Sequence, residues 1–196
     1  MLSVAGPRKG KRALSVVELL VVIGVVAALL TVAAPLYSRM LERSRATVCM
    51  SHLRSIGLAI NAYASDHSDH LPGPSYGIFT LKGGIVDQLA PYLGANHQTF
   101  WRCPSHASMD PRYAAYKARY PFFGYHYDPP KESLTPYTRT YIRQTYPVGS
   151  RWLLEDIDDW NYAPDPRLGP TNGPVHEGFR NVLFLDARVE RVKPTQ

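Results

Sequence analysis

The chain has 196 residues, of which 45% are hydrophobic, and a formal net charge of +6. This length suits one modest domain with an appendage, and two cysteines are too few for a zinc cluster built from cysteines. Residues 1–13 contain four basic side chains and no acidic one, so the remainder carries only +2. Because that remainder has no dense basic run interleaved with aromatic residues, we do not expect specific nucleic-acid binding.

An apolar run, LSVVELLVVIGVVAALLTVAA, occupies residues 14–34 and contains one charge, Glu18. As a helix with a rise of about 1.5 Å per residue, it spans the roughly 30 Å hydrocarbon core of a bilayer. The basic residues before it predict that this end stays in the cytoplasm and that the rest of the chain faces outside. A cleaved secretory signal peptide is the alternative, but the length of the run and its glutamate argue against it.

After Pro35 the sequence becomes amphipathic. Apolar residues recur at intervals of four and three, which places them on one helical face: Cys49, Leu53, Ile56, Ile60 and Tyr63. We therefore predict one helix over residues 14–65, with its first half in lipid and its second half packed on a soluble domain. Pro35 predicts a kink, and the Pro-Gly-Pro sequence at 72–74 cannot continue the helix.

Residues 71–196 are rich in Pro, Gly and Tyr and contain only short apolar stretches. Four of these stretches are predicted or candidate strands: residues 122–127, 151–155, 181–185 and 189–192. A tight turn at 186–188 predicts that the last two form a hairpin. Residues 128–148 and 157–175 are expected to be long loops. The predicted fold is therefore α+β, with a long helix packed on a small antiparallel sheet.

Glu18 needs a partner, because a carboxylate within lipid is costly. A basic leader that ends at Ala13, an apolar run that starts at Leu14 and a glutamate fifth in that run resemble the prepilin leader of type IV pilins and type II secretion pseudopilins. The resemblance implies cleavage between Ala13 and Leu14 and N-methylation of Leu14. The new amino group could then pair with Glu18 of a neighbouring subunit and set the register between helices. Pro35 matches the mid-helix proline of many members, whereas Ala13 and Leu14 replace their usual Gly and Phe.

The resemblance also implies an organisation, a location and partners. It divides the chain into a leader at 1–13, a transmembrane assembly helix at 14–35, an amphipathic continuation at 36–70 and a periplasmic or extracellular domain at 71–196. The subunit would wait in the bacterial cytoplasmic membrane and assemble with other pilin-like subunits into a secretion pseudopilus or a type IV-like pilus. Prepilin peptidase, the inner-membrane assembly platform and the lipid bilayer are the further partners.

Three other functions remain open at this point. The segment can be a plain signal anchor whose glutamate reaches the membrane interface. The chain can be a tethered binding module that never polymerises, or an anchored metal-dependent enzyme. We expect a structural subunit without enzymatic activity, because no nucleophile stands in a recognisable elbow and no glycine loop can cradle phosphate.

A second resemblance covers the soluble part. The run from Cys49 to Tyr63, followed by Leu-Pro at 71–72, is similar to a pilin-like group abundant in planctomycetes and verrucomicrobia. The sequence FWRCPS at residues 100–105 resembles the Cys-Pro segment of that group. His176, nine intervening residues and then Asp186 resemble its His-x9-Asp-Gly pattern. Asn181 is also in place, while Ala187 replaces the glycine.

The two cysteines suggest one disulfide, because they are distant in a chain expected to be exported. A bond between Cys49 and Cys103 would tie the helix to the sheet and stabilise the fold by about 2–4 kcal/mol. Two unpaired buried thiols are the alternative.

Three further groups suggest ligands or chemistry. The string DHSDH at 66–70, with His52 or His106, suggests a transition-metal site, but metal ligands rarely come from one short turn alone and we favour a solvated helix exit. Acidic residues around Trp160 suggest calcium, with Asp156, Asp158 and Asp159 as candidate ligands, although such a cluster is usually a solvated loop. No other cofactor is expected. His176 and Asp186 suggest acid–base chemistry, but we expect His176 to cap or hydrogen-bond the terminal hairpin.

Overall fold

The computed structural model describes residues 15–74, 78–80, 84–106, 113–123, 135–157, 175–176 and 178–193. The chain separates into two compact units, residues 1–41 and 42–196. The helices are α1 (Val16–Asp66), α2 (Gly84–Leu93), α3 (His97–Phe100), α4 (Tyr120–Phe123) and α5 (Arg139–Thr145), with a 3₁₀ turn at Val148–Ser150. The strands are β1 (Ile78–Thr80), β2 (Tyr113–Ala118), β3 (Trp152–Asp156), β4 (Arg180–Phe184) and β5 (Val189–Val192).

The first unit contains the N-terminal part of α1. Every residue from 16 to 41 is exposed, and most are large and apolar. The helix is long and apolar enough to cross a membrane. It continues through Pro35, as predicted for a single long helix.

The second part of α1 belongs to the folded domain and buries one face. The buried residues recur at the predicted helical spacing: Ala46, Cys49, Leu53, Ile56, Gly57, Ala59, Ile60 and Ala64. Tyr63 packs against the edge of the same core. The helix ends at Asp66, one residue after the predicted end, and Ser68 and Asp69 then adopt positive φ angles that turn the chain.

The buried face of α1 packs on a five-stranded antiparallel sheet with strand order β1-β2-β3-β4-β5. The predictions of β3, β4 and β5 are confirmed, as is the terminal hairpin. Gly57 on α1 lies so close to the sheet that an added Cβ would stand 2.7 Å from Leu183 Cδ1 and 3.2 Å from Ala187 Cα. The α+β prediction, with a long helix on a small antiparallel sheet, is therefore confirmed.

Two local predictions are wrong. Phe122 and Phe123, predicted to begin a strand, lie in α4 and are fully buried, and residues 124–127 lie outside the described residues. A short buried apolar run does not distinguish strand from helix by periodicity, which explains the error. The predicted loop at 128–148 contains α5, whose first turn is capped by the Thr138 side chain. Of the predicted loop at 157–175, residues 158–174 lie outside the described part of the chain.

Candidate functional site

Polar and sulfur-containing side chains meet at one buried place in the second unit. These side chains come from α1, from the segment that follows α3, from the end of β3 and from the segment that precedes β4. We call this group the buried cluster: Glu42, Cys49, Cys103, Ser105, Asp156 and His176. The β2–β3 register also places Tyr116 opposite Asp156.

His176 is the centre of the buried cluster. Its side chain is fully buried, and its two ring nitrogens face carboxylates from different elements. Nδ1 lies 3.0 Å from Oε1 of Glu42 on α1, and Nε2 lies 3.3 Å from Oδ2 of Asp156 on β3. His176 therefore links the helix to the sheet, besides exchanging backbone hydrogen bonds with Phe179.

The remaining hydrogen bonds hold the two carboxylates in place. The Ser105 hydroxyl donates to Glu42 and lies 3.3 Å from His176 Nδ1. The backbone N–H of Asn181 donates to Asp156 Oδ2 over 2.7 Å. Within the described ranges, neither polar atom of the Asn181 side chain has a hydrogen-bond partner.

The environment favours the charged form of His176. Burial alone lowers the pKa of the imidazole, but the hydrogen bonds and negative charges of Asp156 and Glu42 outweigh it and raise the pKa. A protonated ring donates from both nitrogens and so satisfies both carboxylates. Burial, and to a smaller extent the charge of Asp156, raise the pKa of Tyr116 well above its ordinary value.

A serine, a histidine and a carboxylate in contact also suggest nucleophilic catalysis. In such sites the histidine accepts the proton of a serine that a substrate can reach. Here the Ser105 proton is directed to Glu42, and His176 has no exposed surface. The arrangement therefore favours a structural network that fixes α1 on the sheet.

Beside His176, Cys49 and Cys103 form a disulfide with Cα atoms 5.2 Å apart. Both residues are buried, and Cys103 Sγ lies 3.5 Å from His176 Nε2. The bond joins α1 to the segment that precedes β2.

Protein-family models, curated proteins and solved structures were compared with this chain. None of them matches it.

Glu18 has a local partner. Its Oε2 accepts a hydrogen bond from the backbone N–H of Ser15 over 2.9 Å, and the Ser15 hydroxyl accepts from the N–H of Val17 over 3.3 Å. This reciprocal arrangement is a capping box at the start of α1. The Ser-x-x-Glu spacing signals it in the sequence, and our sequence analysis missed it. Ala13 and Leu14 lie outside the described residues.

The C-terminal motif residues occupy different places. His176 enters the buried cluster, whereas Asp186 lies in the hairpin turn, where its Oδ1 accepts from the backbone N–H of Arg188 over 3.2 Å. Ala187, which replaces the glycine of the motif, has a φ of 61°. The alanine therefore adopts the left-handed conformation that the tight turn requires.

The predicted metal ligands form no candidate metal-binding group among the described residues, and two of them lie outside those residues. Among the described residues, the only group of three or more that could hold a metal ion is Cys49, Cys103 and His176. Within DHSDH, Asp69 binds Arg139 through Nε over 2.6 Å, and the string thus anchors α5. Of the predicted calcium ligands, Asp156 faces His176, while residues 158 and 159 lie outside the described part of the chain.

Sequence reasoning missed Glu42 and Ser105. Glu42 lies seven residues before Cys49, close to two helical turns, so it shares the buried face of α1. Ser105 follows Cys103 by two residues and so reaches the same place. These spacings could have suggested both residues once the disulfide was assumed.

Proposed function

We propose that this protein is a membrane-anchored, pilin-like structural subunit that prepilin peptidase processes and that assembles into a type II secretion pseudopilus or a type IV-like pilus. The observation that carries the proposal is the contrast within α1. Residues 16–41 are exposed and mostly apolar, whereas the helix from Ala46 onward buries a face in a folded domain.

The exposed part of α1 needs a non-aqueous environment. Its side chains include sixteen large hydrophobic residues, each between 38% and 73% exposed: Val16, Val17, Leu19, Leu20, Val21, Val22, Ile23, Val25, Val26, Leu29, Leu30, Val32, Leu36, Tyr37, Met40 and Leu41. Fully burying one such side chain contributes about 1.5–3 kcal/mol. A bilayer covers this surface before assembly, and the helices of other subunits cover it within a filament.

Glu18 can serve both the isolated subunit and the filament. One of its oxygens accepts from the Ser15 amide at the start of the helix. A carboxylate has about four lone-pair sites, so it can also accept from the amino group of Leu14 in a neighbouring subunit. That pair would fix the axial register, since an unpaired charge in lipid is strongly disfavoured.

The folded domain supports a location outside the cytoplasm. A structural disulfide persists in an oxidising compartment, so the Cys49–Cys103 bond favours a location of this kind. The basic residues at 1–13 orient the anchor in the same direction. The domain would thus be periplasmic while the subunit waits in the inner membrane, and it would lie on the filament surface after assembly.

The mature N-terminus tests the processing step. We expect intact mass and N-terminal sequencing of the protein from membranes to show a chain that begins at Leu14 and carries one methyl group. A chain that begins at Met1, or after the apolar run near Ala34, would refute the proposal.

Matched variants at the helix start test the role of Glu18 in assembly. Glutamine can replace glutamate in a capping box but carries no charge. We therefore expect Glu18→Gln to abolish recovery in sheared filaments, while Ser15→Ala, which weakens the cap and keeps the charge, assembles. If Glu18→Gln assembles like the wild type, the intersubunit ion pair is refuted. A tethered module that does not polymerise would yield no filament fraction from any variant.

A further inference from the structure

We propose that the reduced form of this protein binds one zinc ion through Cys49, Cys103 and His176. α1 and the segment after α3 would then be joined by a disulfide in the oxidised protein and by a zinc ion in the reduced protein, but never by both. This inference does not depend on filament assembly.

The ligand atoms are already gathered. The two Sγ atoms and one ring nitrogen of His176 lie within 4.8 Å of one another, and all three residues are buried. Zinc bonds of about 2.3 Å to sulfur and about 2.0–2.1 Å to nitrogen place tetrahedral ligand atoms about 3.4–3.8 Å apart. The distance of 3.5 Å between Cys103 Sγ and His176 Nε2 lies in that range. The two sulfur atoms must separate to fit such a site, which reduction of their bond allows.

The surroundings of His176 match those of a zinc ligand. Metal-binding histidines usually donate their second ring N–H to a carboxylate, which fixes the ring and its tautomer. Here Nδ1 lies 3.0 Å from Glu42 Oε1, which directs Nε2 toward Cys103. Three protein ligands leave the fourth tetrahedral position to a water molecule, and the Asp156 carboxylate, whose Oδ2 lies 3.3 Å from Nε2, lies beside the site.

The exchange between the two states balances. A dithiol reductant supplies two electrons and two protons, the Cys49–Cys103 bond breaks into two thiols, and the reductant becomes a disulfide. Zinc then binds the two thiolates and displaces their two protons. A disulfide oxidant reverses the process by removing two electrons from the thiolates, and zinc leaves. Zinc fits this set because two thiolates with an imidazole favour a tetrahedral d¹⁰ ion.

Zinc content of the full chain in detergent tests the site. One sample is kept oxidised and another is reduced with a phosphine, desalted under nitrogen and dialysed against zinc chloride. We expect elemental mass spectrometry to find about one zinc per reduced chain and about a tenth or less per oxidised chain. Equal zinc in both samples, or none in the reduced sample, would overturn the proposal.

Two further measurements separate this site from adventitious binding to thiols. His176→Gln should weaken zinc binding at least about tenfold, while His67→Gln, which removes an exposed imidazole outside the buried cluster, should bind like the wild type. Equal affinities of the two variants would contradict the role of His176. In case His176→Gln does not fold, cobalt is added to the reduced wild-type chain. An intense tetrahedral spectrum with thiolate-to-cobalt charge transfer supports the site, and a weak octahedral spectrum excludes it.

Discussion

Removing the disulfide is expected to destabilise the folded domain by about 4 kcal/mol. Cys49 and Cys103 are 54 residues apart, so their bond closes a long loop in the unfolded chain. The chain-entropy relation for a loop of this length gives a loss of about 14 cal/mol/K, or about 4 kcal/mol at 25 °C. Replacing both cysteines with alanine removes the bond without leaving a lone thiol or burying a hydroxyl.

Urea unfolding measures this loss. The double variant Cys49→Ala/Cys103→Ala and the wild type are unfolded as full chains in detergent, with a chelator present, and followed by fluorescence of the buried Trp101. The variant should unfold at lower urea with a difference of about 4 kcal/mol in the free energy of unfolding. Wild-type protein that has been reduced without metal should lose a similar amount.

A small difference would refute this reasoning. If the double variant and the reduced wild type each lose less than about 1 kcal/mol, the bond does not restrict the unfolded chain as the loop length requires. A loss in the double variant alone would assign the effect to packing around the sulfur atoms and not to the cross-link.

Three further predictions concern stability, each measured by urea unfolding. The pKa of His176 is raised above its ordinary value of about 6.5, so charged His176 stabilises the folded domain fully below that pH. This stabilisation is lost as the pH rises through the folded-state pKa. His176→Phe should remove this dependence of the unfolding free energy on pH. Gly57→Val should cost about 2–3 kcal/mol because of the close approach to the sheet, while Gly149→Val, with nothing within 4 Å, should cost much less. Burial opposes ionisation of Asp69, but hydrogen bonds from the first residues of α5, including Arg139, lower its pKa to about 2. The stability that ionised Asp69 contributes should therefore fade as the pH drops from about 4 toward 2. At neutral pH, Asp69→Asn should cost about 1 kcal/mol or less.

The long helix and the terminal strands could be predicted because their signals are local. The face from Cys49 to Ile60 repeats with the helical period, and this pattern reports the side of α1 that is buried. Val189 to Val192 alternates after a turn, which indicates a strand, although only Val189 of that strand is buried. The short helix at Phe122 and the three-residue strand β1 carry no such pattern, since a few residues cannot establish a period. Their conformations depend on contacts made elsewhere in the chain.

Four of the six members of the buried cluster could be predicted, but not the cluster as one site. Cys49, Cys103, Asp156 and His176 stand out by residue type or motif, but the sequence suggests a disulfide, a calcium ligand and a hairpin contact as unconnected features. These residues meet because of the register of β3 with β4 and the orientation of α1 on the sheet. Both fix distances between side chains that are more than a hundred residues apart in the sequence. The partner of His176 on the helix, Glu42, sits 134 positions earlier, and no local pattern records such a contact.

The order of the sheet bears on how the chain can fold. Each strand pairs with its neighbour in sequence, so the sheet can grow one strand at a time as successive segments become available. Asn61 on α1 pairs late, because its side chain donates to the Leu185 carbonyl 124 residues later. A nascent domain would thus stay open along its helix until its final hairpin is available, and a chain that stops before β4 would leave the face of α1 around Gly57 uncovered.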